Sequence, residues 1–310
     1  MEAGLVNARD GFQGVWPALL TPLASDRSID HHRMASLAAS LIEAGCGGIT
    51  PFGTTGEGPS FSVAERCEAV DHLIRSGIPA ERLIVSTISA ALPDTLALTR
   101  HALERGVHGV MMLPPFFFKG VTDAGIVEAY SQLIDAVAGT DWRLYLYHIP
   151  QVAGISLSHT AITELLRRHS TIIRGIKDSG CDRNFSESLA HAFMPGITIY
   201  VGNEPDLRSL ARLGSTGAIS GLANLAPRGV RALAMAADAP GTDAAETRTL
   251  QLLKILQGFP LLPAFKAAMA LQHRDESWLR VRPTLTALTD AERQSLGRRL
   301  IDAGFAEPER

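Results

Sequence analysis

A chain of 310 residues, 46% hydrophobic and 20% charged, has ample apolar material for the core of one barrel-sized domain or two ordinary ones. Its formal net charge of −3, with basic residues scattered rather than clustered, argues against a nucleic-acid partner. No run of about 18 apolar residues is present to span a membrane, and Cys46, Cys67 and Cys181 lack CxxC spacing, which suits thiols of a reducing compartment rather than a disulfide frame or metal site.

The amino-terminal MEAGLVNARDGFQGV has no basic stretch followed by an apolar run, so no signal peptide is expected and the expected location is cytoplasmic. Short apolar runs of strand character then alternate with amphipathic segments of helical period. The first three units are Val15–Leu20 with His31–Ala44, Gly48–Phe52 with Val63–Arg75, and Leu83–Ile88 with Asp94–Arg105. Gly109–Leu113 with Asp123–Val137 and Leu144–Ile149 with His159–Arg168 follow. Ile172–Lys177 with Asn184–Phe193, Ile197–Val201 with Glu204–Leu213, and Gly217–Ser220 bring the runs to eight. Ser62 stands three residues before Glu65, the spacing of a capping box, and Gly45, Gly77 and Gly106 follow helices as C-terminal caps.

Runs apolar on both faces and separated by single helices imply a parallel sheet. Eight such units favour closure into a (β/α)8 TIM barrel over an open doubly wound sheet, and no dinucleotide fingerprint follows the first run. After residue 220 only helical patterns remain, at Pro227–Ala237, Ala244–Leu256, Pro260–Leu271 and Ala291–Ala303. The expected organisation is an α/β chain. Residues 1–223 form a barrel carrying the active site, and residues 224–310 form a C-terminal helical extension packed on it.

In such a barrel the site is built at the carboxyl ends of the strands. Only four of the 29 basic residues are lysines, Lys119, Lys177, Lys254 and Lys266, so each is a candidate for chemistry that arginine cannot perform. Lys177 ends the sixth run, TIIRGIK, among apolar neighbours. Desolvation there would favour the neutral amine, which adds to a ketone and forms an iminium. Position alone also allows a lysine that snorkels out of the barrel or pairs with Asp178, although Asp178 should face the other way along the strand. Lys254 and Lys266 fall in late helices and Lys119 in a loop.

Gly53-Thr54-Thr55-Gly56-Glu57 directly follows the second run. Its glycines let successive N–H groups converge on an anion, and a carboxylate fits such a nest as well as a phosphate does; an ordinary glycine-rich turn would carry the same letters. Tyr147, in the Tyr147-His148-Ile149-Pro150 segment ending the fifth run, offers either a phenol for proton relay or a simply packed ring. Tyr145 has the same facing, deeper in the barrel. His148 should face outward, and no HxH or HExxH spacing accompanies it, so it reads as structural and no metal is expected.

GTTGE, YHIP and the lysine of GIKD stand in order on the second, fifth and sixth runs, and with them the chain resembles the dihydrodipicolinate synthase/N-acetylneuraminate lyase family, the class I pyruvate-dependent aldolases. The likeness runs from GVWPALLTP to beyond GAISGLANL. It implies a barrel with added carboxy-terminal helices, usually assembled as a homotetramer, with no cofactor or metal, acting on pyruvate and an aldehyde. Through the resemblance Lys177 is the Schiff-base lysine, Tyr147 the proton relay, and Thr54 a carboxylate-holding residue whose hydroxyl also touches Tyr147. Gly53 and Thr55 belong to the same carboxylate turn, Gly202 of VGNE lines the pocket, and Ile219 packs beneath bound pyruvate.

Two positions depart from the family pattern. Where synthases acting on aspartate semialdehyde carry an arginine, this chain has Val152, which cannot grip a carboxylate. Where a loop tyrosine usually extends the relay into a neighbouring subunit, PPFFFK places Phe117. The expected activity is therefore Schiff-base carbon–carbon lysis or condensation on pyruvate and an aldehyde, or on the corresponding 2-oxo acid. A 2-oxo-3-deoxy sugar acid would suit it, with Asn203 and Glu204 available to its hydroxyls. The alternatives are a 4-hydroxy-tetrahydrodipicolinate synthase that finds its arginine elsewhere, a non-catalytic barrel that binds a 2-oxo acid, and, more weakly signalled, a phosphosugar isomerase.

Overall fold

The computed structural model describes residues 13–308 apart from 138 and 140; residues 1–12, on which the expectation of no signal peptide rests, lie outside the described residues. Among the described residues seven parallel strands form one sheet: β1 (Gly14–Pro17), β2 (Ile84–Ser86), β3 (Gly109–Met112), β4 (Leu144–His148), β5 (Ile173–Asp178), β6 (Thr198–Val201) and β7 (Gly217–Ser220). Their spatial order is β1-β7-β6-β5-β4-β3-β2, with every pairing parallel.

The run Gly48–Phe52, expected as a strand, makes only isolated bridges, Ala18 to Thr50 and Ile49 to Leu83. Pro51 has no N–H to donate, and Phe52 turns away at φ 61, so a continuous ladder stops almost as it starts. The bridges nonetheless join the two outer strands. Thr50 N–H donates to Pro17 O at 2.8 Å and Leu19 N–H to Thr50 O at 3.0 Å, while Ile49 N–H donates to Arg82 O at 2.8 Å and Ile84 N–H to Ile49 O at 3.0 Å.

Both faces of the sheet are buried, as continuous apolar runs require. The inner face gathers Trp16, Ile84, Met111, Tyr145, Tyr147, Tyr200 and Ile219 into one cluster. The outer face, with Val15, Val110, Leu144, Leu146, Ile176 and Val201, shares a second core with the helices. The connecting helices are α1 (His31–Glu43), α2 (Val63–Arg75), α3 (Leu92–Glu104), α4 (Asp123–Ala136), the one-turn α5 (Pro150–Ala153), α6 (His159–His169), α7 (Arg183–Phe193) and α8 (Leu207–Arg212). The Ser62–Glu65 capping box is present at the start of α2. The segment expected as one helix over Glu204–Leu213 opens instead with a 3-10 turn, Glu204–Asp206, before α8.

Beyond β7 lie α9 (Pro227–Met235), α10 (Thr242–Leu256), α11 (Leu261–His273) and α12 (Asp290–Asp302). Their apolar residues, among them Val230, Leu252, Phe265, Met269, Leu296 and Leu300, belong to the same core as the outer face of the sheet. Asn224 ties the start of this region back to β1, donating to Ala18 O at 2.9 Å and accepting from Leu20 N–H at 3.1 Å. Among the described residues no helix is long and apolar enough to cross a membrane.

Candidate active site

β4 and β5 lie side by side with Tyr147 opposite Lys177 and His148 opposite Asp178. Side chains alternate along a strand, so this register sends one pair inward and the other outward together. Tyr147 joins the inner cluster, and the Lys177 ammonium nitrogen lies 4.3 Å from the centre of its ring. Lys177 is buried, with 4% of its surface exposed. Outside, Asp178 accepts from His148 Nδ1 at 2.8 Å, from Gly180 N–H at 3.0 Å and from the Ser186 hydroxyl. His148 Nε2 meets Ser156 Oγ at 3.0 Å. The geometry thus separates Asp178 from Lys177 and gives His148 the structural place that its outward facing requires.

The GTTGE turn crosses its own entry. A Cβ on Gly58 would lie 1.9 Å from Phe52 O, so only glycine permits the close backbone approach. Gly58 N–H donates to Gly53 O at 3.1 Å, Glu57 N–H to Thr54 O at 3.1 Å, and Gly56 O accepts the Thr21 hydroxyl at 2.7 Å. The N–H groups of Thr54 and Thr55 have no acceptor among the described residues. Both threonines are half-buried, and Thr54 Oγ1 lies 3.2 Å from the Tyr147 hydroxyl. The Thr54 hydroxyl therefore stands beside the phenol and the phenol ring beside the amine, with two unengaged backbone donors in the same turn.

Gly202 and Ile219 close the same space. Gly202 N–H donates to Asp178 O at 2.7 Å, and a Cβ there would sit 1.9 Å from Ser179 Oγ and 3.0 Å from Lys177 Cε. Glycine leaves room for the lysine stem. Ile219 is fully buried in the inner cluster with Tyr147. Val152 and Phe117 stand apart: Val152, on α5, is 58% exposed, and Phe117 is 72% exposed, its ring edge-on to Phe118 at 5.2 Å. The structure brings neither into contact with Lys177.

Ser179, Ser220 and Arg66 were not read from the sequence, whereas Asn203 and Glu204 were read as available to substrate hydroxyls. Ser179 lies two positions beyond Lys177, and continuing the strand alternation would have placed it inward; its N–H donates to His148 O at 2.8 Å. Ser220 Oγ donates to Glu204 Oε1 at 2.7 Å, and Asn203 accepts from the Cys181 thiol at 3.4 Å while donating to Asp206 at 2.6 Å. Arg66 is buried at the end of β2, its guanidinium donating to Ile88 O at 2.7 Å and to Ser86 O, and burial pulls its pKa down to about 10. Lys266, placed by its helix outside the chemistry, is fully buried against Glu57 of the turn.

Tyr145 belongs to a different group. Its hydroxyl meets His108 Nε2 at 2.9 Å near the amino ends of the strands, where burial pushes the phenol up to about 12 and the imidazole down to about 4. A cavity of about 640 Å³ also opens at that end, lined by Ile197, Thr198 and Thr216 at the starts of β6 and β7, and does not include Lys177.

Comparison with known proteins bears on this arrangement. The pattern of the dihydrodipicolinate synthetase family matches residues 11–303. A DapA-like lyase of Chloroflexus aurantiacus is 35% identical over 259 residues, 83% of this chain and 86% of that protein. The dihydrodipicolinate synthase of Agrobacterium tumefaciens superposes with a TM-score of 0.88 at 30% identity, covering 94% of this chain and 99% of that one. YagE of E. coli, solved in complex with pyruvate, superposes with a TM-score of 0.85 at 26% identity over 95% of this chain and 99% of that one. With a family match across nearly its whole length, the chain belongs to the dihydrodipicolinate synthetase family and is an enzyme of its class I aldolase and lyase kind.

Proposed function

We propose that the chain is a (β/α)8 barrel over residues 1–223, with residues 224–310 as a helical extension, and that it captures pyruvate as a Schiff base on Lys177. The observation that carries this reading is the row formed by the Lys177 amine, the Tyr147 phenol and the Thr54 hydroxyl beside two unengaged backbone donors. The N–H groups of Thr54 and Thr55, with Gly53 giving the turn its shape, hold the substrate carboxylate. Lys177 Nζ in its neutral form adds to the C2 carbonyl carbon of the 2-oxo acid. Tyr147 delivers a proton to the carbinolamine oxygen, water leaves and an iminium forms. The iminium draws electrons from the adjacent bond, so that either a C3 proton or the C3–C4 bond can break to give the enamine. Ile219 and Gly202 shape the floor and wall around the bound three-carbon unit.

The second substrate, on this reading, is an aldehyde without a gripped carboxylate, since Val152 offers no charge. Ser179, Ser220, Glu204 and Asn203 supply hydroxyl-binding groups suited to a 2-oxo-3-deoxy sugar acid. The exposed Phe117–Phe118 pair suits burial against a second copy in a homotetramer. A cytoplasmic location accords with an exposed, unpaired Cys181.

Intact-mass measurement and peptide mapping after borohydride reduction with pyruvate tests the capture step. A pyruvate-derived increase on Lys177, absent in Lys177→Ala, is the expected result. Binding of pyruvate without any adduct would replace the enzyme by a 2-oxo-acid-binding barrel. Robust turnover of pyruvate with aspartate semialdehyde in a coupled reductase assay would make the chain a 4-hydroxy-tetrahydrodipicolinate synthase instead.

A further inference from the structure

Glu57 closes the GTTGE turn in the left-handed region, at φ 56, which non-glycine residues rarely occupy without support. Its carboxylate is ion-paired with Lys266 of α11, and both side chains are fully buried. Lys266 also donates to Arg280 O at 2.7 Å, and Arg282 N–H donates to the second Glu57 oxygen at 3.3 Å. From there the Arg282 guanidinium reaches Ser60 O at 2.9 Å and Arg27 O at 3.0 Å, pairs with Glu65 and lies 4.3 Å from the centre of the Phe61 ring. Arg280 donates to Leu23 O at 3.0 Å. The segment running from α11 to Arg282 thus grips the turn and the loops flanking it.

A buried ion pair is a poor source of stability, because well-packed apolar residues of the same volume often serve as well or better, and in some proteins such a pair serves instead to fix position. Burial here works against the charged Lys266, with Glu57 opposing that effect. The turn couples the two: Glu57 N–H is bonded to Thr54 O at 3.1 Å and Gly58 N–H to Gly53 O at 3.1 Å, so a displacement of Glu57 is carried to the residues that bear the unengaged donors.

We propose that Glu57 and Lys266 are a positioning pair through which the C-terminal helices set the geometry of the carboxylate-binding turn. The inference rests on reading that turn as the pyruvate-carboxylate site, and neither residue touches the substrate. In the double variant Glu57→Gln/Lys266→Met no buried charge is left unpaired. Its half-saturating pyruvate concentration for borohydride trapping should rise by about tenfold or more, while the saturating rate changes by less than about threefold, the signature of lost ground-state placement. A folded double variant with unchanged half-saturation would leave the pair a packing feature only. Hydrogen exchange of the unaltered chain is the second readout. By linkage, pyruvate bound at the turn should slow exchange in peptides covering Leu261–His273 and Arg280–Arg282, and unchanged exchange there overturns the proposal whether or not the variant folds. If the unaltered chain traps no pyruvate, the functional reading itself fails and this inference falls with it; trapping with unmoved variants defeats this inference alone.

Discussion

Tyr147 and Lys177 occupy paired positions on adjacent parallel strands, and the amine lies 4.3 Å from the centre of the phenol ring. Register places them there, so the relationship survives changes that leave β4 and β5 intact. Tyr147→Phe keeps the aromatic face beside the amine and removes only the hydroxyl. The rate of adduct formation with pyruvate should fall about 10²–10⁴-fold, the range for a positioned proton-transfer group, with little change in half-saturation. Rapid-quench borohydride trapping reads both quantities. A loss below tenfold would remove Tyr147 from the proton path.

Thr54 Oγ1 sits 3.2 Å from the Tyr147 oxygen, at the long end of a hydroxyl contact. Thr54→Ser retains that oxygen, and Thr54→Val replaces it with a methyl of the same shape. With a neutral hydrogen bond contributing about 1 kcal/mol, the valine variant should slow adduct formation roughly five- to tenfold and the serine variant less than about twofold. Equal rates in the two variants would show that the hydroxyl serves packing and that Thr54 acts through its backbone alone.

Gly202 leaves space for the stem of the lysine. A methyl group at this position would lie 1.9 Å from Ser179 Oγ and 3.0 Å from Lys177 Cε, so Gly202→Ala must displace one of them. Its φ lies outside the left-handed region, so the backbone itself accepts alanine. The expected outcome is a folded protein whose trapping rate falls at least about tenfold, since misplacement on the ångström scale removes large factors from a positioned reaction. Circular dichroism with trapping on the same sample separates the two effects, and full activity in the alanine variant would mean that Ser179 moves aside freely.

The alternation of strands and helices was legible because burial on both faces of a parallel sheet leaves an uninterrupted apolar signature. Lys177 was legible because lysine is scarce in this chain and the strand end places it. Strand pairing is another matter. Gly48–Phe52 has the composition of a strand, yet Pro51 and the turn at Phe52 reduce it to bridges, a difference that lies in hydrogen bonding rather than hydrophobicity. The pairing of Glu57 with Lys266 spans most of the chain and has no local signature. The available clue was a single lysine in AFKAAMA, where Ala264, Phe265, Ala267, Ala268 and Met269 are all buried and no face is left for a solvated ammonium. The outward pair His148–Asp178 was half legible: alternation gave its face, and only the register of β4 on β5 gave its partner.

His108 carries the clearest pH dependence of stability. Its imidazole is buried against Tyr145, and desolvation brings its pKa from an ordinary 6.5 to about 4, with the Arg143 charge adding to the effect. Well above pH 6.5 the folded and unfolded imidazoles are both neutral, and the group adds no slope. Between about 6.5 and 4 the unfolded chain takes up a proton that the folded one refuses, so stability falls as pH falls across that window, by a total on the order of 3 kcal/mol. Below about 4 both states are protonated and the contribution is constant. Carboxylates and other buried histidines also titrate in acid, so the informative quantity is a difference. His108→Gln retains an amide able to bond the Tyr145 hydroxyl but does not titrate. Urea unfolding of both proteins at pH 7 and pH 4.5 should show the parent losing more stability than the variant, by up to the amount above. Equal losses would mean that the imidazole is protonated in place and that Tyr145 and its surroundings accommodate the charge.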